Sequence, residues 1–454
     1  MRDRWRQSLH LEPPRGWMND PNGLCWFDGL YHVFFQYCPE SAVGCGPKCW
    51  GHYTSPDLLH WRFAGTALRP DTAADRDGVY SGCAVELGGQ MALYYTGNVK
   101  HPGDYDYITA GREGNVLRVL SLDGFDMGEK ELLLTNRDYP DSCSCHVRDP
   151  KVWQEDGQWK MVLGARDRSD RGELLVYHSS DGRRWQFTAA VQKKEPFGYM
   201  WECPDCFVLG GKTVLSVSPQ GLPHEEYRFQ NACQSGWFAF DGPLEFARLG
   251  EFTEWDMGFD FYAPQTFFAP DGRRLLIGWM GQPDSPYTNL TAAQGWQHCL
   301  TLPRELFWDE DGRLCQRPVR EMEALEQKVR RIPDGQRALL PLPSRMKARP
   351  QGSFALHLGQ NTVFAYDAAQ GTAELRFLSD QTGCGRTVRR ALLPRCREIE
   401  VITDASSVEI YLDGGAVVFS SRVYPETREI AMQAQGTSFE LCAMKPLEVT
   451  GFEA

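Results

Sequence analysis

Asp20, Asp149 and Glu202 each precede a turn glycine by eight to ten residues, at Gly29, Gly157 and Gly211, and Ser81 and Tyr262 hold the matching places before Gly89 and Gly272. All five read as one slot of a repeated pattern. Three carboxylates would then meet if the repeats surround a common axis, although 182 residues separate Asp20 from Glu202. Converging carboxylates with no other catalytic partner are what glycoside hydrolysis needs: one acid protonates the leaving oxygen, and one carboxylate attacks or activates water. The same groups could ligate Ca²⁺ or Mg²⁺. The aromatics Trp17, Trp50, Trp201, Tyr262 and Trp279 suit stacking on a sugar ring better than hydrating an ion, so neither a metal nor a cofactor is expected.

The elements that must position this slot repeat five times as a β-rich run, a turn and a second β-rich run. The turns are Asp28-Gly29, Gly88-Gly89, Asp156-Gly157, Gly210-Gly211 and Asp271-Gly272. Such dipeptides favour type I′ hairpins because both central residues take positive φ. Runs such as Tyr31-His32-Val33-Phe34-Phe35 and Trp159-Lys160-Met161-Val162-Leu163 fit strands. The turn glycines lie 60, 68, 54 and 61 residues apart, which suits four-stranded blades and predicts an all-β, five-bladed β-propeller whose first strands line a central channel. A (β/α)₈ barrel would need helical periodicity between the strands, and residues 20–300 show almost none. Pro21, Pro150, Pro204 and Pro264 follow the slot by one or two residues. Proline lacks the N–H that a sheet interior requires, so the slot is expected where each strand begins.

The 454-residue chain has a formal net charge of -12 and 42% hydrophobic residues, enough for a sizeable core. The acidic balance excludes the basic footprint of a nucleic-acid partner and disfavours an anionic membrane surface. No run is long and apolar enough for a transmembrane helix, and the N-terminus lacks the apolar stretch of a signal peptide. Fifteen cysteines without framework spacing read as reduced thiols in a cytoplasm. Three regions are expected: a propeller over 1–317, a helical and Pro-rich linker over 318–350 with its helix at 318–330, and a C-terminal β-sandwich over 351–454.

Seven ordered motifs carry a family resemblance. Trp17-Met18-Asn19-Asp20-Pro21-Asn22-Gly23, Phe35-Gln36-Tyr37, Trp50-Gly51-His52, Tyr80-Ser81-Gly82, Arg148-Asp149-Pro150, Trp201-Glu202-Cys203-Pro204 and Asp260-Phe261-Tyr262-Ala263-Pro264-Gln265 resemble the motif series of the invertase-like β-fructofuranosidases. The resemblance spans nearly the whole chain. It implies a retaining hydrolase of terminal β-fructofuranosyl units, with Asp20 as nucleophile, Glu202 as general acid/base and Asp149 as transition-state stabiliser. It also implies that Asn19, Gln36, Trp50, Tyr80, Ser81, Arg148 and Tyr262 line the fructosyl subsite, which Trp17 and Trp279 would help to wall. Glu202 would sit among Trp201, Cys203 and two anionic aspartates, surroundings that favour a neutral carboxyl able to donate a proton. Arg148 is expected to hold its neighbour Asp149 ionised, on condition that the strand starts irregularly, because neighbours on a regular strand face opposite ways.

Blander readings apply to the remaining candidates. His52 and His146 are expected to be structural, and neither Cys203-Pro204-Asp205-Cys206 nor the pairs Cys45/Cys49 and Cys143/Cys145 have the context of a redox or zinc site. A fructosyltransferase would share the covalent intermediate, and a non-catalytic fructan-binding protein could use the same funnel, yet binding alone gives no reason to bury three carboxylates together. The partner is thus a small fructoside: sucrose, its 6-phosphate or a short fructo-oligosaccharide. A phosphate would need cations at the outer subsite, for which Lys48, Lys100, His101 and Arg228 are candidates.

Overall fold

The computed structural model describes residues 4–452 and is nearly all β; among these residues the only helices are short 3₁₀ turns. Five antiparallel sheets fill the N-terminal two thirds. Their first strands are Gly16–Phe27, Val79–Leu87, Cys143–Glu155, Met200–Leu209 and Tyr262–Phe268. Each pairs with the strand that follows its turn, and two further strands complete each four-strand meander. At four turns both central residues have positive φ, as at Asp28 and Gly29 (45° and 79°) or Gly210 and Gly211 (56° and 83°). The fifth differs: only Gly272 is left-handed, in a five-residue loop between Phe268 and Arg274.

Each first strand packs beside the next, and the fifth returns to the first, so the five sheets close into a ring. An apolar layer fills every gap. Phe34 and Trp50 meet Leu93 and Tyr95 between the first two sheets, and Phe267 and Leu275 meet Tyr31 and Val33 where the fifth meets the first. A sheet covered on both faces reads as continuous apolar residues rather than an alternation. Val33-Phe34-Phe35 has that pattern because each of its neighbours enters a different layer.

Two six-stranded sheets make up the C-terminal part and share one core, with Met346, Val401 and Ile410 on one side and Leu356, Phe364 and Met432 on the other. The expected linker helix is absent from the described residues. Only Arg320–Leu325 turns, as 3₁₀, while Glu326–Ile332, Arg337–Pro341 and Ser344–Ala348 are strands of these two sheets. The cause is tertiary: Glu326–Ile332 pairs with Phe439–Met444 as an edge strand, where exposed charges are favoured. The last strand, Glu448–Thr450, leaves this part and pairs in parallel with His60–Arg62 on the outer edge of the first ring sheet. Among the described residues no helix is long and apolar enough to cross a membrane.

Candidate active site

Every first strand of the ring breaks its register at the same depth. The breaks fall between Met18 and Pro21, Val79 and Gly82, Arg148 and Lys151, Glu202 and Asp205, and Tyr262 and Gln265. A bulge adds an unpaired residue and turns the side chains beside it. Asp149, Cys203 and Ala263 take left-handed φ of 64°, 47° and 48° there, an uncommon conformation for residues other than glycine. This corrects two expectations. Pro150, Pro204 and Pro264 sit in the bulges and Pro21 closes one, pairing with Phe35, so the prolines mark bulges and not strand starts. Nor is there one slot: Asp20, Ser81 and Asp149 are bulge residues, whereas Glu202 and Tyr262 immediately precede a bulge, as Arg148 does. The bulge supplies the irregularity that lets both Arg148 and Asp149 reach the pocket.

The three carboxylates do converge. Asp20 Oδ2 accepts the Ser81 hydroxyl at 2.6 Å, and its Oδ1 accepts Asn19 Nδ2 at 3.2 Å. Asp149 Oδ2 accepts the Cys203 backbone N–H at 2.9 Å. The Cys203 thiol spans the two aspartates, 3.7 Å from Asp20 Oδ2 and 3.6 Å from Asp149 Oδ2. Glu202 accepts from four donors. Arg148 Nε and Nη2 fork onto Oε1 at 3.0 and 2.7 Å, and Gln220 Nε2 and the Tyr262 hydroxyl reach Oε2, each at 2.7 Å. Arg148 therefore bonds to Glu202 and not to its sequence neighbour, because its side chain projects from before the bulge and the Asp149 side chain from within it.

Burial sets the electrostatics. It pushes the Asp149 carboxyl up to about 7; the nearby Arg148 opposes the shift, and the charges of Glu202 and Asp20 add to it. Asp20 is also raised, chiefly by burial, while the Ser81 hydrogen bond works against the rise. Both follow from taking carboxylates out of water beside like charge.

Aromatic groups wall one side. Trp17 is half-buried, gives its indole N–H to Asn19 Oδ1 at 2.7 Å, and meets His298 edge-on at 4.3 Å between centroids. Trp279 lies 6.0 Å from Trp17 and 6.3 Å from Tyr262, and its buried Nε1 has no acceptor among the described residues. Two expected platforms are instead inside the packing. Trp50 is fully buried and donates to the Tyr80 carbonyl at 3.0 Å, and Trp201 is fully buried against the Phe197 carbonyl at 2.7 Å. With no exposed face, each serves to hold the strand start beside it. Gln36 is also buried and holds the Val79 carbonyl at 3.0 Å.

Sequence reasoning missed Gln220, the Cys203 thiol and Arg112, whose guanidinium lies 5.8 Å over the half-buried Tyr80 ring. Hairpin counting offers a signal for the first, since the turn at Gly210-Gly211 sets Met200 opposite Gln220. Of the suggested cations, Lys48 lies 5.2 Å over Trp17 and Lys100 lies 5.3 Å over Tyr107, whereas His101 pairs with Glu113 and Arg228 with Glu251. His52 stacks on Phe34 at 4.0 Å and bonds His32, a packing role. Among the described residues no group of three His, Cys, Asp or Glu side chains is arranged to hold a metal.

Comparison with known proteins bears on this pocket. The family model described as "Glycosyl hydrolases family 32 N-terminal domain" matches residues 10–318, and the one described as "Glycosyl hydrolases family 32 C terminal" matches 351–449. A raffinose invertase of Escherichia coli is 40% identical over 452 residues, covering 95% of this chain and 92% of the relative. A sucrose-6-phosphate hydrolase of Bacillus subtilis (strain 168) is 37% identical over 458 residues, covering 96% and 93%. Among solved structures, the sucrose-6-phosphate hydrolase of Lactobacillus gasseri superposes with a TM-score of 0.89 at 27% identity, over 98% of this chain and 94% of that one. The Bombyx mori beta-fructofuranosidase gives 0.86 at 30% identity, over 98% and 95%.

Proposed function

The chain belongs to glycosyl hydrolase family 32, and from its pocket we propose that it removes terminal non-reducing β-D-fructofuranosyl residues from sucrose, sucrose 6-phosphate or short fructo-oligosaccharides, with retention of configuration. The meeting of Asp20, Asp149 and Glu202 in one buried pocket, linked through the Cys203 thiol and backbone, carries this reading.

Asp20 attacks the anomeric carbon while Glu202 gives a proton to the glycosidic oxygen, so the aglycone leaves and a fructosyl ester forms on Asp20. Glu202, now a carboxylate, takes a proton from water, which attacks the same carbon and frees Asp20. The Tyr262 hydroxyl both donates and accepts, so it can follow Glu202 through this exchange at 2.7 Å. Asp149 holds fructosyl hydroxyls and stabilises the oxocarbenium-like transition state. Asn19, Ser81 and Arg148 orient the carboxylates, Gln36 and Trp50 act by holding the strands that carry the site, and Trp17, Tyr80, Tyr262 and Trp279 wall the sugar. The orphaned Trp279 N–H supports that assignment, because a buried donor without an acceptor is an exception that a sugar oxygen would relieve.

The five ring sheets are read as the five blades of a propeller and the C-terminal pair of sheets as a β-sandwich, with the boundary near residue 318. Fifteen free cysteines support a reducing compartment, the cytoplasm. Purified protein should release reducing sugar from sucrose, and Asp20→Asn should bind sucrose yet turn it over at least about 10³-fold more slowly. No release by the unmodified protein, or comparable turnover by the variant, would overturn the assignment.

A further inference from the structure

One side of the pocket holds a guanidinium that none of its carboxylates meets in an ion pair. Arg112 opens the strand Arg112–Ser121 and donates from Nε to Asn98 Oδ1 at 3.0 Å. Its Nη1 lies 3.2 Å from His146 Nε2, which also lies 3.2 Å from the Tyr107 carbonyl oxygen, and His146 Nδ1 lies 3.3 Å from Arg148 Nη1. Burial and the charges of Arg148, Arg112 and Arg166 push His146 down to about 3, so its ring is neutral at physiological pH. A guanidinium only donates. Nδ1 is therefore the acceptor for Arg148, and the single ring proton sits on Nε2, directed at the Tyr107 carbonyl. That leaves Nε2 with no lone pair for Arg112.

Arg148 has Glu202 for a partner and Arg166 has Asp170. Arg112 forms no ion pair among the described residues. Burial and the nearby Arg148 both hold its guanidinium below the usual arginine range, and Tyr80 and the charge of Glu202 offset this only in part, the response of a buried cation without an ion-pair partner.

Position indicates what that anion is. Arg112 covers Tyr80, the residue before Ser81, and through His146 it adjoins Arg148, which holds Glu202. Glu202 is the group assigned to the leaving oxygen, so Arg112 stands on the side of the departing sugar. We propose that Arg112 is the centre of an anion subsite for a phosphomonoester on that sugar, and is thus the residue by which the enzyme selects a phosphorylated disaccharide over the neutral one. The inference rests on the fructosidase reading. A guanidinium fork matches phosphate oxygens geometrically as well as by charge. Lys100, over Tyr107 and opposite Arg112 in the sheet register, adds positive potential near it, while neutral His146 acts as a strut that keeps two guanidiniums apart without adding a third charge.

The test compares kcat/KM on sucrose 6-phosphate and on sucrose for the unmodified enzyme, Arg112→Ala and Arg112→Lys, with a thermal melt of each. The expected unmodified ratio favours the phosphorylated substrate by at least about 10-fold. Arg112→Ala should shrink that ratio by about 10- to 100-fold, the usual range for a lost charge-assisted hydrogen bond. Arg112→Lys, which keeps the charge and loses the fork, should fall between. Glucose 6-phosphate should also inhibit the unmodified enzyme more strongly than glucose and lose that advantage in Arg112→Ala. An unmodified ratio near one, or a ratio unchanged in Arg112→Ala, would overturn the subsite while leaving the fructosidase reading intact. If neither substrate were hydrolysed, the fructosidase reading would fail and the subsite with it.

Discussion

Burial raises both aspartates, and the consequence is a pH dependence with a definite sign. Asp149 at about 7 and Asp20 above its usual range must both be anionic in the proposed mechanism, so activity is present above these values and lost as pH falls through them. The acid limb of kcat/KM, which reports the free enzyme, should therefore lie near neutrality; a limb centred below about pH 5, where unperturbed carboxylates titrate, would exclude control by Asp149. Ser81 lowers the Asp20 value through its hydrogen bond, so Ser81→Ala should move the limb to higher pH. Glu202→Gln should lose most on substrates with poor leaving groups, which need its proton, and be partly rescued on an activated aryl fructoside. Equal losses on both would argue against the acid role.

At the scale of elements, the site depends on a bulge repeated in five first strands and on how closely those strands approach. Gly164 stands opposite Arg148 in the third sheet and passes the first strand of the fourth. A Cβ there would lie 2.0 Å from the Trp201 carbonyl oxygen and 3.5 Å from the Glu202 Cα. Gly164→Ala should force the third and fourth sheets apart just where Arg148 grips Glu202. The expected losses are about 1–3 kcal/mol of stability and at least about 10-fold in kcat, since small misplacements near reacting groups are expensive. Gly250→Ala, at a position with open space around it, should stay within about 0.5 kcal/mol of the parent. Parallel melting and kinetic curves for Gly164→Ala and the parent would show that the sheets are not wedged at this point.

The whole molecule is held together by a buried ionic chain between ring and C-terminal sheets. His10 lies 2.9 Å from both Asp404 and Glu409, Glu409 accepts Arg304 at 2.6 Å, and Arg304 reaches Asp256 at 3.1 Å, all with fully buried side chains. Burial pulls His10 down, but the hydrogen bonds and charges of Asp404 and Glu409 more than reverse this and hold it at about 9. A raised histidine stabilises the fold fully below its unfolded value near 6.5, and that contribution disappears as pH rises through about 9. The melting temperature should thus fall between pH 7 and 9.5 by more in the parent than in His10→Gln; equal falls would mean that His10 is not charged. Truncation near residue 318 removes Asp404 and Glu409, strands His10 without either carboxylate and leaves Arg304 with Asp256 alone. Breaking one buried pair alone costs about 3–5 kcal/mol, so the fragment should be insoluble or inactive. A soluble, fully active fragment would show that the C-terminal sheets do not support the ring.

Local signals made much of this legible in the sequence. A turn dipeptide such as Asp156-Gly157 acts through its own φ angles, and a run such as Thr213-Val214-Leu215 through its own propensity, so the hairpins and their spacing could be read along the chain. That three carboxylates meet was legible for a related reason, their similar spacing from those turns, although the spacing merged bulge residues such as Asp20 and Asp149 with Glu202, which precedes its bulge. What the tertiary structure alone decided is where side chains point and which charges meet. Arg148 adjoins Asp149 in sequence yet bonds Glu202, 54 residues away, because a bulge sends the two neighbours along different lines. Trp50 looks like a sugar platform and is enclosed between two sheets. Glu326–Ile332 has the charged composition of a helix and is an edge strand because Phe439–Met444 offers it a partner. Register, enclosure and pairing are set by segments far apart in the chain, and a physical signal carried by a distant contact has no local residue in which to appear.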